Sequence, residues 1–189
     1  MNTASPPRIL TTVVGSYPVP DWLVALPSEQ ALIDATSVVF KTQELAGIDV
    51  MADGELYRFD VNHPETNGMI DYFVRPLGGV RAQIGRGDLE EFSRVSAMQF
   101  RHKPAAIVEG PLTAGVLDLV RDYQRARALT RGRMKFTLTG PHMLSRTLLD
   151  HHYKDAGKLA LGLAQVMAQQ VAQIDADVIQ IDEANITGA

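Results

Sequence analysis

Five apolar runs recur along the chain, and each stops on a polar tip: ILTTVVGSYP, IDVMADGE, AAIVEGPLT, MKFTLTGP and ADVIQIDE. Continuous apolar strands are buried on both faces, which is how parallel strands covered by helices behave. Helical stretches separate most of the runs. One is opened by Pro27-Ser28, where Ser28 is placed to cap; it carries an apolar stripe of Leu32, Ala35, Val39 and Ala46 and closes at Gly47. A second runs through Leu117, Val120 and Tyr123, and a third carries Leu159, Leu163, Val166, Met167 and Ile174. The pattern predicts an α/β chain.

The tips read GSYP, DGE, EGP, TGP and IDE. In a (βα)8 barrel of the TIM type, reactive groups from several strands cluster at the C-terminal face. A doubly wound sheet also keeps its ligands at that end, but at one switch point. Polar tips on every strand favour the barrel. Residues 59–103 fit the alternation least well; Gly78-Gly79 and IGRGD read as an excursion with a hairpin or loops of its own. No linker or repeat divides residues 1–189, so they are expected to form a single unit.

Composition removes several classes of function. The formal net charge is -4 and the basic residues are scattered, so neither a nucleic-acid nor an anionic-membrane surface is expected. The densest basic stretch, RDYQRARALTRGR, is interleaved with apolar positions like a solvated helix face. No apolar run approaches the roughly 20 residues that span a bilayer. The first ten residues lack a secretory pattern. There is no cysteine, which excludes disulfides, a thiol nucleophile and thiolate metal ligation by these residues, and points to the cytoplasm.

The chemistry on offer is carboxylate chemistry. Asp53 and Glu55 flank a glycine at one tip, and Asp182 and Glu183 stand at another. Alternation along an extended strand would turn Asp53 and Glu55 to one side. Such groups bind an amine or a metal, or move protons; each could equally cap a helix or pair with Arg58. Gly15-Ser16 offers N–H groups and a hydroxyl suited to a carboxylate, or simply makes a tight turn before Pro18. Thr139-Gly140-Pro141 and Glu109-Gly110-Pro111 carry the same two readings. Of His63, His102, His142, His151 and His152, none has the i, i+4 spacing of a helical metal site, and only His142 is placed near a tip.

In this order the tips resemble the catalytic domain of cobalamin-independent methionine synthase and its shorter single-domain relatives. TTVVGSYP looks like that family's opening strand, GIDVMADGE like its second, and FTLTGP and VIQIDEA like later ones. The family's IDEPAL here reads IDEANI. The resemblance implies a (βα)8 barrel in which a zinc-bound homocysteine thiolate takes a methyl group from methyltetrahydrofolate. It implies that Val14, Gly15 and Ser16 hold the carboxylate of the amino-acid substrate and that Glu55 and Asp182 hold its ammonium group. A zwitterion needs both signs within a few ångströms.

Two departures shape the expectation. The folate-stacking aromatic that follows TGP in the family is replaced by HMLSRTLLDHH, which leaves other alkyl donors open. The family's zinc ligands lie downstream of the IDE strand and include cysteine. A (βα)8 barrel takes about 250 residues, so this chain is expected to supply about the first five strands of a partial barrel. A second polypeptide would then bring the remaining strands and the zinc ligands, making a split methyltransferase; a truncated product is the other possibility. Two further readings stay open: a non-catalytic amino-acid-binding half-barrel, and a barrel of the uroporphyrinogen decarboxylase group. Acidic tips would repel the polycarboxylate substrate of the last.

Overall fold

The computed structural model describes residues 9–60, 67–96 and 101–184. His63 and Asn185, and with Asn185 the end of IDEANI, lie outside them. The chain is α/β. After a short helix α1 (Asp21–Ala25) comes the long helix α2 (Glu29–Leu45), started as the sequence predicts: Ser28 Oγ accepts from the Ala31 N–H at 3.0 Å. Ala35 and Val39 of the predicted stripe are buried, whereas Ala46 is exposed. A helix α3 (Asp71–Val74), a strand β1 (Gly78–Arg81) and a helix α4 (Arg86–Val95) form the excursion. Then follow β2 (Ile107–Thr113), α5 (Leu119–Arg127), β3 (Lys135–Thr139), α6 (Pro141–Arg146), β4 (Leu149–Asp150), α7 (Ala156–Val171) and β5 (Val178–Asp182). Asp118 and Asp155 cap α5 and α7 with their side chains, accepting from Arg121 N and Lys158 N.

Four of the five apolar runs lie side by side and parallel. The first touches the second through Thr12 and Val50, and the second touches β3 through Met51 and Met134. β3 and β5 share five paired residues, from Lys135–Val178 to Thr139–Asp182. The first two contacts are single bridges rather than strands, because side chains take over the ladder. Thr11 donates from its N–H and its hydroxyl to Asp49 Oδ2 at 2.9 and 3.0 Å. The buried amide of Gln43 on α2 brackets Ala52, accepting from its N–H at 2.9 Å and donating to its carbonyl at 2.7 Å.

The third run corrects the expectation of five consecutive strands. β2 pairs antiparallel with β1 and parallel with β4, in a separate three-stranded sheet. Its slot in the row is taken: Met51 donates to Arg133 O and accepts from Lys135 N, joining the second run directly to β3. Within 59–103 the described residues hold one strand, β1, and no hairpin of its own: β1 pairs antiparallel with β2 beyond that stretch, across a connection that carries α4. Gly79, at φ 80, packs against the Pro111 carbonyl, where a Cβ would collide.

One continuous core joins both sheets through Met51, Phe73, Val108, Phe136, Leu144 and Leu163. β3 is buried at every residue. The outer members of the row are not: Val14 is 77% exposed on the first run, and Ile181 is 58% exposed on β5. Both outer members of the row thus carry exposed apolar side chains.

Candidate functional site

Because the row is parallel, its tips share one end. Gly15-Ser16, Gly54-Glu55, Thr139-Gly140 and Asp182-Glu183 all fall there. Glu109 does not. It sits on β2 and pairs with Arg81 on the antiparallel strand β1 at 2.7 Å, so the EGP tip leaves the candidate site.

The first two tips are tied together. Ser16 Oγ donates to Glu55 Oε2 at 2.7 Å, and Tyr17 N–H donates to Gly54 O at 2.9 Å. Gly54 and Glu55 both lie at positive φ, 80° and 60°. That conformation is natural for glycine and costs a glutamate about 1 kcal/mol or more. Extended alternation therefore does not govern Asp53 and Glu55. Asp53 turns instead to accept the Glu55 N–H at 2.9 Å.

Arg58 holds the bend in place. Its Nη1 lies 3.4 Å from Glu55 Oε2, and it donates to Thr137 O on β3. The guanidinium sits against the rings of Tyr57, Tyr72 and Phe73. Burial raises the Asp53 carboxyl above its ordinary range, and the Arg58 charge opposes that rise without cancelling it. Glu55 is thus a carboxylate that is buried, strained and paired, the combination found at functional positions.

Lys135 joins the other side. Its ammonium, on the first residue of β3, donates to Val13 O and to Gln180 Oε1, the latter at 2.6 Å. Gln180 Nε2 in turn donates to Asp182 Oδ1 at 2.7 Å. Burial lowers the Lys135 pKa, opposed by the negative fields of Asp182 and then Glu55. Both carboxylates expected at the site therefore act on one buried cation. A lysine inside the otherwise apolar MKFTLT was the signal in the sequence, since an unpaired lysine is almost never buried.

Other candidates have structural work. Glu183 accepts from His142 N–H at 2.9 Å and Met143 N–H at 2.8 Å, capping α6 from across the row. His142 is half-exposed beside it, with Nδ1 3.8 Å from Glu183 Oε2. Thr139 Oγ1 donates to Met69 O. His151 pairs with Glu91 at 3.1 Å, beside the other sheet. Val14, Gly15 and Ser16 form the exposed end of the first run, Gly15 at φ 89. Among the described residues no three His, Cys, Asp or Glu side chains could hold a metal together. These residues therefore do not fit a zinc site.

The chain is similar to known proteins along most of its length. Residues 9–189 match the family described as "Cobalamin-independent synthase, Catalytic domain". A methionine synthase from Sulfolobus acidocaldarius is 30% identical over 189 residues, covering 92% of this chain and 51% of the relative. One from Sulfurisphaera tokodaii is 28% identical, covering 94% and 52%. The solved B12-independent methionine synthase of Shewanella sp. W3-18-1, in complex with selenomethionine, superposes with a TM-score of 0.68 at 26% identity, over 92% of this chain and 51% of that one. A putative vitamin-B12 independent methionine synthase from Listeria monocytogenes shares the fold, with a TM-score of 0.63 at 16% identity. The chain spans about half the length of the curated relatives it matches. It belongs to the cobalamin-independent synthase family, within that family's catalytic domain.

Proposed function

We propose that this chain forms the amino-acid-holding part of an enzyme that moves a methyl group to the sulfur of a homocysteine-like thiol amino acid. In this reading Glu55 and Asp182 take the ammonium group, and the backbone N–H groups around Val14, Gly15 and Ser16 take the carboxylate. The observation that carries it is that the first run reaches both carboxylates, through the Ser16 hydroxyl on Glu55 and through Val13, Lys135 and Gln180 to Asp182. Glu55 and Asp182 stand near two buried cations, Arg58 and Lys135, with Asp53 and Glu183 as further acids at the same tips. Both signs of charge are therefore present at this end of the row. That arrangement suits a ligand that is itself neutral overall but charged at both ends.

The exposed apolar edges at Val14 and Ile181 support a partial (βα)8 barrel completed by further strands, carried by a second polypeptide or by more of the same protein. A zinc ion, which the family resemblance implies, would have to be held by residues beyond these. In zinc-dependent thiol chemistry the metal lowers the thiol pKa so that the thiolate is present near neutral pH. The part played by this chain is to grip the backbone end of the amino acid so that its side chain points away from the tips. Methyltetrahydrofolate is one candidate donor and another alkyl donor is the alternative, since HMLSRTLLDHH follows the TGP tip where the family carries its stacking aromatic.

Because no set of three metal-binding side chains is found among the described residues, a second reading stays beside the first, a non-catalytic amino-acid-binding half. Purification from the native cell, followed by mass spectrometry, metal analysis and a homocysteine methylation assay, separates the two. The transferase reading expects a co-purifying complement, bound zinc and methylated thiol. A lone compact chain that binds a thiol amino acid without metal and transfers nothing supports the binding protein instead.

A further inference from the structure

The carboxylate of Asp182 is not free to choose its orientation. Its Oδ1 is held at 2.7 Å by the Gln180 amide, two residues earlier on the same face of β5, and its own backbone carbonyl accepts from Gly140 N–H at 2.8 Å. The Gln180 amide is fixed from the other side by Lys135 Nζ at 2.6 Å. An ammonium only donates and a carboxylate only accepts, so a single amide orientation satisfies both contacts: Oε1 toward Lys135 and Nε2 toward Asp182. Lys135 is itself locked by Val13 O, on the first run of the row. The line Val13, Lys135, Gln180, Asp182 thus crosses from the exposed first run to the exposed β5 beneath the tips.

We infer that Lys135 and Gln180 are positioning residues that aim the Asp182 carboxylate at the ammonium group of the bound amino acid. Lys135 acts at a distance, through an amide. Direct contact would quench Asp182 as an ion-pair partner, whereas the amide passes on orientation and leaves the remaining carboxylate oxygen for the ligand. This inference rests on the reading of Asp182 as an ammonium holder.

The test is calorimetric titration of the native protein, with whatever completes it, using L-methionine as the probe. Gln180→Glu is the telling variant, because it keeps a partner for Lys135 but turns an acceptor toward Asp182 in place of a donor. It is expected to weaken binding about tenfold, the loss of one charge-assisted hydrogen bond. Lys135→Met should weaken binding to a similar degree, and Lys135→Arg should restore most of it. In an Asp182→Asn background, Gln180→Glu should cause no further loss, since the group it positions is gone. Wild-type affinity in Gln180→Glu, or the same loss with and without Asp182, overturns the inference while leaving the site intact. Unchanged affinity in Asp182→Asn itself overturns the reading of the site, and the inference with it.

Discussion

Gly140→Ala should destabilise the protein, although its backbone gives no reason for it. Gly140 lies at φ −71 and ψ 152, a conformation that alanine adopts freely. On conformational entropy alone the substitution would stabilise by about 0.4–1 kcal/mol. The added Cβ, however, would fall on the Glu183 side chain, onto its Cγ, Cδ and Oε1. That side chain can swing away, but only by leaving the N–H groups of His142 and Met143, held at 2.9 and 2.8 Å. Hydrogen bonds to a charged group are worth about 1.5–3 kcal/mol each, and partial exposure puts these at the low end. Losing both and regaining solvation should leave a net cost of about 1–3 kcal/mol. Urea unfolding of wild type, Gly140→Ala, Glu183→Ala and the double variant measures it. With Glu183 already truncated, Gly140→Ala should become neutral or stabilising. A stable Gly140→Ala, or the same cost in both backgrounds, would refute the reasoning.

Other consequences are as concrete. Asp182→Asn and Glu55→Gln should each weaken amino-acid binding by about 1.5–3 kcal/mol in calorimetry, leaving the metal content of the assembled protein unchanged. Arg58→Met should cost about 3–5 kcal/mol in unfolding experiments, because Glu55 and Asp53 would stay buried without their cation. Burial raises the Asp53 carboxyl above its ordinary 3.8, so the folded state binds that proton more tightly than the unfolded chain does. Its contribution to stability is whole below that value and is lost as pH rises through the folded midpoint. Asp53→Asn should flatten this loss, and stability curves for the two proteins should diverge upward in pH from about 4.

Much of this was legible in the chain. Ser28 announces α2, and the TGP and IDE tips do lie side by side, with Thr139 opposite Asp182. What the sequence could not give was neighbourhood. The apolarity of AAIVEGPLT says that it is buried, not which strand it pairs with, and Met51 closed its place in the row by bonding directly to β3. The bend at Glu55 is hidden because extended alternation holds only as far as Gly54, a residue free to end it. Glu183 looked as available as Asp182, yet one carboxylate caps α6 and its neighbour meets Gln180; only three-dimensional placement separates them. Lys135 is visible in the sequence as a charge in an apolar strand, but its partners Val13 and Gln180 lie far away along the chain.

A crystal structure of the native protein with L-selenomethionine, whose selenium can be located by its anomalous signal, tests the central claim most directly. The ligand nitrogen should lie about 3 Å from carboxylate oxygens of both Glu55 and Asp182, with the ligand carboxylate against the Gly15-Ser16 backbone. A ligand bound elsewhere, or bound with its nitrogen turned from both carboxylates, would contradict the account.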